Sequence, residues 1–196
     1  MQLLEVISKS LIALSVVWIS IGGASADVSC SSATLAAPDI INCSQKSFEK
    51  IDKVLNEQYK ALSIELDAST KAELISAQKK WIKLKDSYCR DDGDEGEESP
   101  IEKLSCVKQF TSFRVSELIY LRTGVIGDGF YKAVSLVNEK ATSMNYPKAI
   151  EFVGGSENFG SAWKEYADGN CAMTSKLFGE DVDRCMARMR FQIPIY

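Results

Sequence analysis

The sequence predicts an all-α fold: two related helical units, each a helical hairpin extended to three helices and stapled by disulfides, packed together. Three observations predict it. A repeat at a fixed offset of 82 residues lays Phe48, Leu55, Asn56, Glu57, Trp81, Asp86 and Cys89 over Phe130, Val137, Asn138, Glu139, Trp163, Asp168 and Cys171, and both copies end in W-x4-D-x2-C. Such self-similarity in one register marks two copies of one unit. Apolar residues step by three and four along the chain, and nothing alternates with period two over a strand's length. All six cysteines follow residue 26, an even number in a chain that begins like an exported one.

Residues 1–26 read as a signal peptide: Lys9, an apolar run from Leu11 to Ile21, the break Gly22-Gly23, then Ala24-Ser25-Ala26 as a small-x-small cleavage site. The run is short of the ~20 residues that span a bilayer, so no transmembrane segment is expected in the mature chain. A lipid anchor on Cys30 is a weaker alternative, because Asp27 stands where lipidation signals want an aliphatic residue.

The first unit is expected over residues 27–122. Phe48, Ile51, Leu55, Tyr59, Leu62 and Leu66 lie on one face of a helix from Ser47 to Leu66. Thr70-x-x-Glu73 can cap a second helix, whose Leu74, Ala77, Trp81, Leu84 and Tyr88 keep the same period toward Cys89, with Trp81 expected to face the first helix. An acidic, glycine-broken loop from Asp91 to Glu98 follows. Ser99 as N-cap, Pro100 at the first helical position and Glu102 then open a third helix to about Leu121.

A Gly-rich link, Gly124 to Gly129, leads into the second, degenerate unit over residues 123–196. A helix is expected from Phe130 to about Asn145. Pro147 and Gly154-Gly155 then interrupt what is one helix in the first copy, leaving a short piece around Ala149 and a restart near Ser156 that carries Trp163, Tyr166 and Cys171. A last helix around Cys185 ends before Pro194.

Six cysteines allow 15 pairings. The repeat narrows them, because Cys89 and Cys171 hold the same place and each is followed by one further cysteine. The expected bridges are Cys30/Cys43, Cys89/Cys106 and Cys171/Cys185, for which chain entropy suggests roughly 3 kcal/mol apiece.

Composition excludes several functions. With a net charge of -4 and no basic stripe interleaved with aromatics, nothing would drive binding to a phosphate backbone. An acidic chain suits a cationic protein partner instead. Without histidine there is no ordinary catalytic triad or Cys-His pair, and the carboxylates crowd a loop with no apolar frame to raise the pKa of one, so no enzyme is expected. No cofactor and no metal are expected either. Asp92, Asp94 and Glu97 could offer oxygen ligands to calcium, but their spacing is not that of an EF-hand loop.

Asp52-x-x-Leu55-Asn56-x-x-Tyr59, Ala77-Gln78-x-x-Trp81-x-x-x-Lys85-Asp86-x-x-Cys89, and Cys106 with Thr111, Arg114 and Leu118 together resemble the LprI-type lysozyme inhibitor family of exported bacterial proteins. The likeness covers most of residues 43 to 121. The second copy, Trp163-x-x-Tyr166-x-Asp168-x-x-Cys171 with Cys185, resembles that family more loosely: it lacks the Ala-Gln pair and the Tyr after Asn138. Lys85 stands where the family more often has arginine. The resemblance implies a small helical, disulfide-bonded envelope protein, some members of which inhibit lysozyme.

Trp81, Asp86, Trp163 and Asp168 read as structural, with Trp filling a helix interface and Asp accepting a hydrogen bond or capping a neighbouring helix. Asn56 and Glu57 recurring as Asn138 and Glu139 suggest a polar contact between the copies. The competing functional segment is the acidic loop, where the disulfide would present Asp91, Asp92, Asp94 and Glu95 as a prong toward a cationic partner. The expectation is a periplasmic inhibitor of lysozyme or a related peptidoglycan-lytic enzyme that binds and blocks. The alternatives are an immunity protein against a secreted cell-wall toxin and an envelope assembly factor with no enzyme target.

Overall fold

The computed structural model describes residues 30, 35–90, 99–127, 129–140 and 144–194. The expected signal peptide and the acidic loop 91–98 lie outside the described residues. The described residues form seven helices and no strand. They are α1 (Ala37–Glu65), α2 (Ala68–Tyr88), α3 (Ser99–Thr123), α4 (Gly129–Lys140), α5 (Tyr146–Gly154), α6 (Gly160–Phe178) and α7 (Val182–Gln192).

Helix α1 begins ten residues before the apolar stripe that betrays it. Pro38 sits in its first turn, where a missing N–H costs nothing, and Asp39 favours the positive end of the helix dipole. α2 is capped by Asp67 rather than by Thr70. The Asp67 carboxylate accepts from the backbone N–H of Ser69 and Thr70 at 2.8 and 3.0 Å, and the Thr70 hydroxyl donates to it at 2.7 Å. Those bonds hold the Asp67 carboxyl below its usual range, the Thr70 hydroxyl contributing most. Glu73, released from capping, pairs with Lys176 of α6 at 2.9 Å.

The break in the second copy falls where Pro147 and the Gly pair predict it. Asn145 caps α5 through its side chain, Pro147 fills the first turn, and Gly155 at φ +67° ends the helix. α6 restarts at Gly160, four residues beyond the expected restart, because Asn158 turns back to accept from the Gly160 N–H at 2.9 Å.

α1 lies along α3, and α2 lies along α6. Arg122 reaches Glu65 at 2.8 Å, joining the C-terminal ends of α1 and α3, so these two run parallel. Contacts of Glu73 with Lys176, Lys83 with Glu165 and Tyr88 with Phe159 show α2 and α6 to be antiparallel. The main core draws on both sides of residue 122: Leu62, Leu74, Leu84, Phe110 and Leu118 pack in one cluster with Trp163, Tyr166, Cys171 and Met189. A smaller cluster, Phe130, Val134, Ala149 and Ala187, joins α4, α5 and α7. Three disulfides are present, Cys30–Cys43, Cys89–Cys106 and Cys171–Cys185, each with Cα atoms 5.6 Å apart.

Candidate functional site

The corner that carries the acidic loop is built on α2 and α3. Cys89 ends α2 and Cys106 lies two turns into α3; both sulfurs are buried. Tyr88 packs its ring 5.3 Å from that of Phe110, tilted by 46°, and donates its hydroxyl to the Phe159 carbonyl at 2.9 Å. Trp81 is buried, and its indole N–H is given to the Phe110 carbonyl at 3.2 Å, so its polar edge is fixed on α3 instead of α1. The base of the loop is thus tied to three helices. Asp91, Asp92, Asp94 and Glu95, and the calcium candidates Asp92, Asp94 and Glu97, lie outside the described residues. Among the described residues no group of three or more His, Cys, Asp or Glu side chains could hold a metal ion.

The other repeated residues have plain positions. Trp163 is as buried as Trp81, but its indole N–H finds no acceptor in the structure. Asp86 and Asp168 face solvent and pair with lysines of their own helices, Lys85 at 2.6 Å and Lys164 at 2.7 Å; neither caps a neighbouring helix. Asn56 is exposed and donates to Asp52, one turn back in α1, while the copies meet on α2 and α6.

A buried charged network, which the sequence reading did not assemble, joins α2, α3, α6 and α7. Arg114 donates to Gln78 at 2.9 Å, to the Tyr166 hydroxyl at 3.1 Å and to Asn170 at 2.9 Å. Asn170 donates to Glu117 at 2.7 Å, and Glu117 accepts from Arg188 at 2.5 Å. Arg188 also forks onto Glu180 at 3.1 and 3.3 Å, and its guanidinium lies 4.7 Å from the centre of the Tyr120 ring. Two cations and two carboxylates are therefore neutralised inside the core, as buried charges must be. Glu117 and Glu180 hold the Arg188 guanidinium charged against the desolvation that opposes it. Burial pushes the Tyr166 phenol up to about 12. A signal was present in α3: Arg114 and Glu117 fall on the stripe Phe110, Phe113, Leu118, Leu121, where a polar residue must find a partner inside.

These groups are sealed from solvent and tied to one another, apart from the Arg114 Nη2, which finds no acceptor among the described residues; such a network suits a rigid scaffold. A family model described as Lysozyme inhibitor LprI matches residues 30–118, which contain α1, α2, the stapled corner and most of α3. A comparison with curated proteins and one with solved structures each returned no match.

Proposed function

We propose, from the LprI lysozyme-inhibitor region that residues 30–118 form, that this chain is an exported inhibitor of lysozyme or a related peptidoglycan-lytic enzyme. It acts by binding and blocking. The observation that carries the reading is the family match over the first copy, the copy that keeps an unbroken α2 and a long stapled loop. The acidic balance supports it, since a net charge of -4 favours encounter with a cationic enzyme. Export, with the periplasm as the compartment, is supported by three disulfides. No helix among the described residues is long and apolar enough to cross a membrane.

Within this reading Asp91, Asp92, Asp94 and Glu95 form the contacting prong. Their anchorage at Cys89 and Cys106 lowers the ordering cost on binding. The test is to mix the oxidised mature chain with a panel of lysozymes at low salt. Complex formation with at least one of them, and loss of its peptidoglycan hydrolysis, is expected; full activity of every enzyme at excess chain rejects the reading. Neutralising the four loop carboxylates should slow association and flatten its salt dependence while leaving the helical content unchanged.

A further inference from the structure

The second copy departs from the first at α5, and the departure opens a hollow. Copy two breaks before Pro147, at a place that lies within α1 in copy one, and again at Gly154-Gly155, which fall opposite α2 and not, like Pro147, opposite the end of α1, so that α5 leans on α7. The approach is close: a Cβ on Gly154 would stand 2.5 Å from the Ala187 Cβ and 2.7 Å from its Cα. Between α5, α6 and α7 this leaves an open hollow of about 640 Å³. That size is within the range of small-molecule sites, roughly 300 to 1,000 Å³.

The lining is apolar at Pro147, Ile150, Val182, Met186 and Ala187 and charged elsewhere. Some of those charges are already matched. Lys164 pairs with Asp168 at 2.7 Å, and Asp181 caps α7 by accepting from the Arg184 N–H at 3.0 Å. Arg184, Arg190, Glu151 and Asp183 line the hollow with neither an ion-pair partner nor a side-chain hydrogen bond among the described residues, and Asp181, although it caps α7, has no ion-pair partner either. The Arg184 Nε is shielded from solvent and has no hydrogen-bond acceptor, an arrangement that leaves a charged donor unsatisfied. Arg190 is steadied by the Trp163 ring, 5.6 Å from its guanidinium carbon.

We infer that this hollow binds a short zwitterionic peptide, its carboxylate taken by Arg184 and Arg190 and its ammonium by Glu151 and Asp183. A ligand of one sign would leave like charges facing it, whereas one carrying both signs on a short apolar body complements the rim and the floor together. This site is separate from the stapled corner, and its occupancy does not depend on enzyme inhibition.

The experiment is an amide NMR titration of the full oxidised chain with three probes: tri-alanine, its N-acetyl derivative and its C-terminal amide. Tri-alanine should give saturable shifts confined to α5, α6 and α7, and each blocked probe should bind about tenfold more weakly or worse. Arg184→Gln should weaken tri-alanine by a similar factor, and the surface change Asp183→Asn should do so even if Arg184→Gln unfolds the chain. Lys53→Gln, on α1, which lines no part of the hollow, should change nothing. Absence of saturable shifts at millimolar peptide, equal binding of all three probes, or shifts elsewhere on the chain would overturn the inference.

Discussion

Arg188 makes the sharpest demand on this core. Its guanidinium is completely buried and held by Glu117 and Glu180, so removing one carboxylate strands a charge in a dry interior. Glu117→Ala should therefore lower the unfolding free energy by about 3 to 5 kcal/mol. Lys83→Ala, which breaks the exposed pair with Glu165, should cost no more than about 1 kcal/mol. Denaturant titration of the two variants compares them directly, and similar losses would contradict the distinction. The tyrosines give a pH prediction. Burial first, then the nearby Glu180, raises Tyr131 to about 12, and burial raises Tyr166 to about 12. A raised folded-state value means the native state holds its proton more tightly. Their contribution is fully present below the ordinary tyrosine value of about 10 and is lost as pH climbs toward 12. Phenolate absorbance and circular dichroism followed together through that window should show these two groups ionising with unfolding, not before it.

The helices show which signals carry and which do not. Periodicity located the cores of α1 and α2, because burial on one face is what the pattern records, while capping residues opened α3 and the repeat located α6. Periodicity missed the first ten residues of α1, whose side chains are at most partly buried and leave no stripe, and the α2 cap was read at Thr70 because Thr70-x-x-Glu73 fits a capping box, whereas Asp67 has Thr70 three residues on. The network around Arg188 was legible only at Arg114 and Glu117, on the apolar stripe of α3, because its other members come from α6, α7 and the link between them, and only the fold brings them together. Two glycines give opposite predictions at this scale. Gly154→Ala forces α5 off α7 and should cost about 1 to 3 kcal/mol. Gly169→Ala, inside α6 with its nearest neighbour the Lys80 ammonium at 3.5 Å, should raise stability by up to about 1 kcal/mol. Melting curves of the two variants should move in opposite directions.

Across the whole molecule, the repeat and the packing describe one relation. Lys83 and Glu165 are 82 residues apart, the offset of the repeat, and they touch at 3.1 Å on antiparallel helices. Equivalent positions that meet in this way are the signature of a two-fold interface, and we read the chain as two copies of one unit facing each other through α2 and α6. Because the main core runs through both copies, heat should unfold them in one transition with equal calorimetric and van't Hoff enthalpies, not as two separate units. α2 is thereby packed on α6, and the stapled corner is the part of the first copy proposed to meet a partner. The most direct test of that account is the residual peptidoglycan hydrolysis of a cationic lysozyme titrated with the oxidised chain at low salt. The account predicts that activity falls toward zero as the chain is added and recovers as salt screens the encounter; undiminished hydrolysis at large excess, with every lysozyme tried, would contradict it.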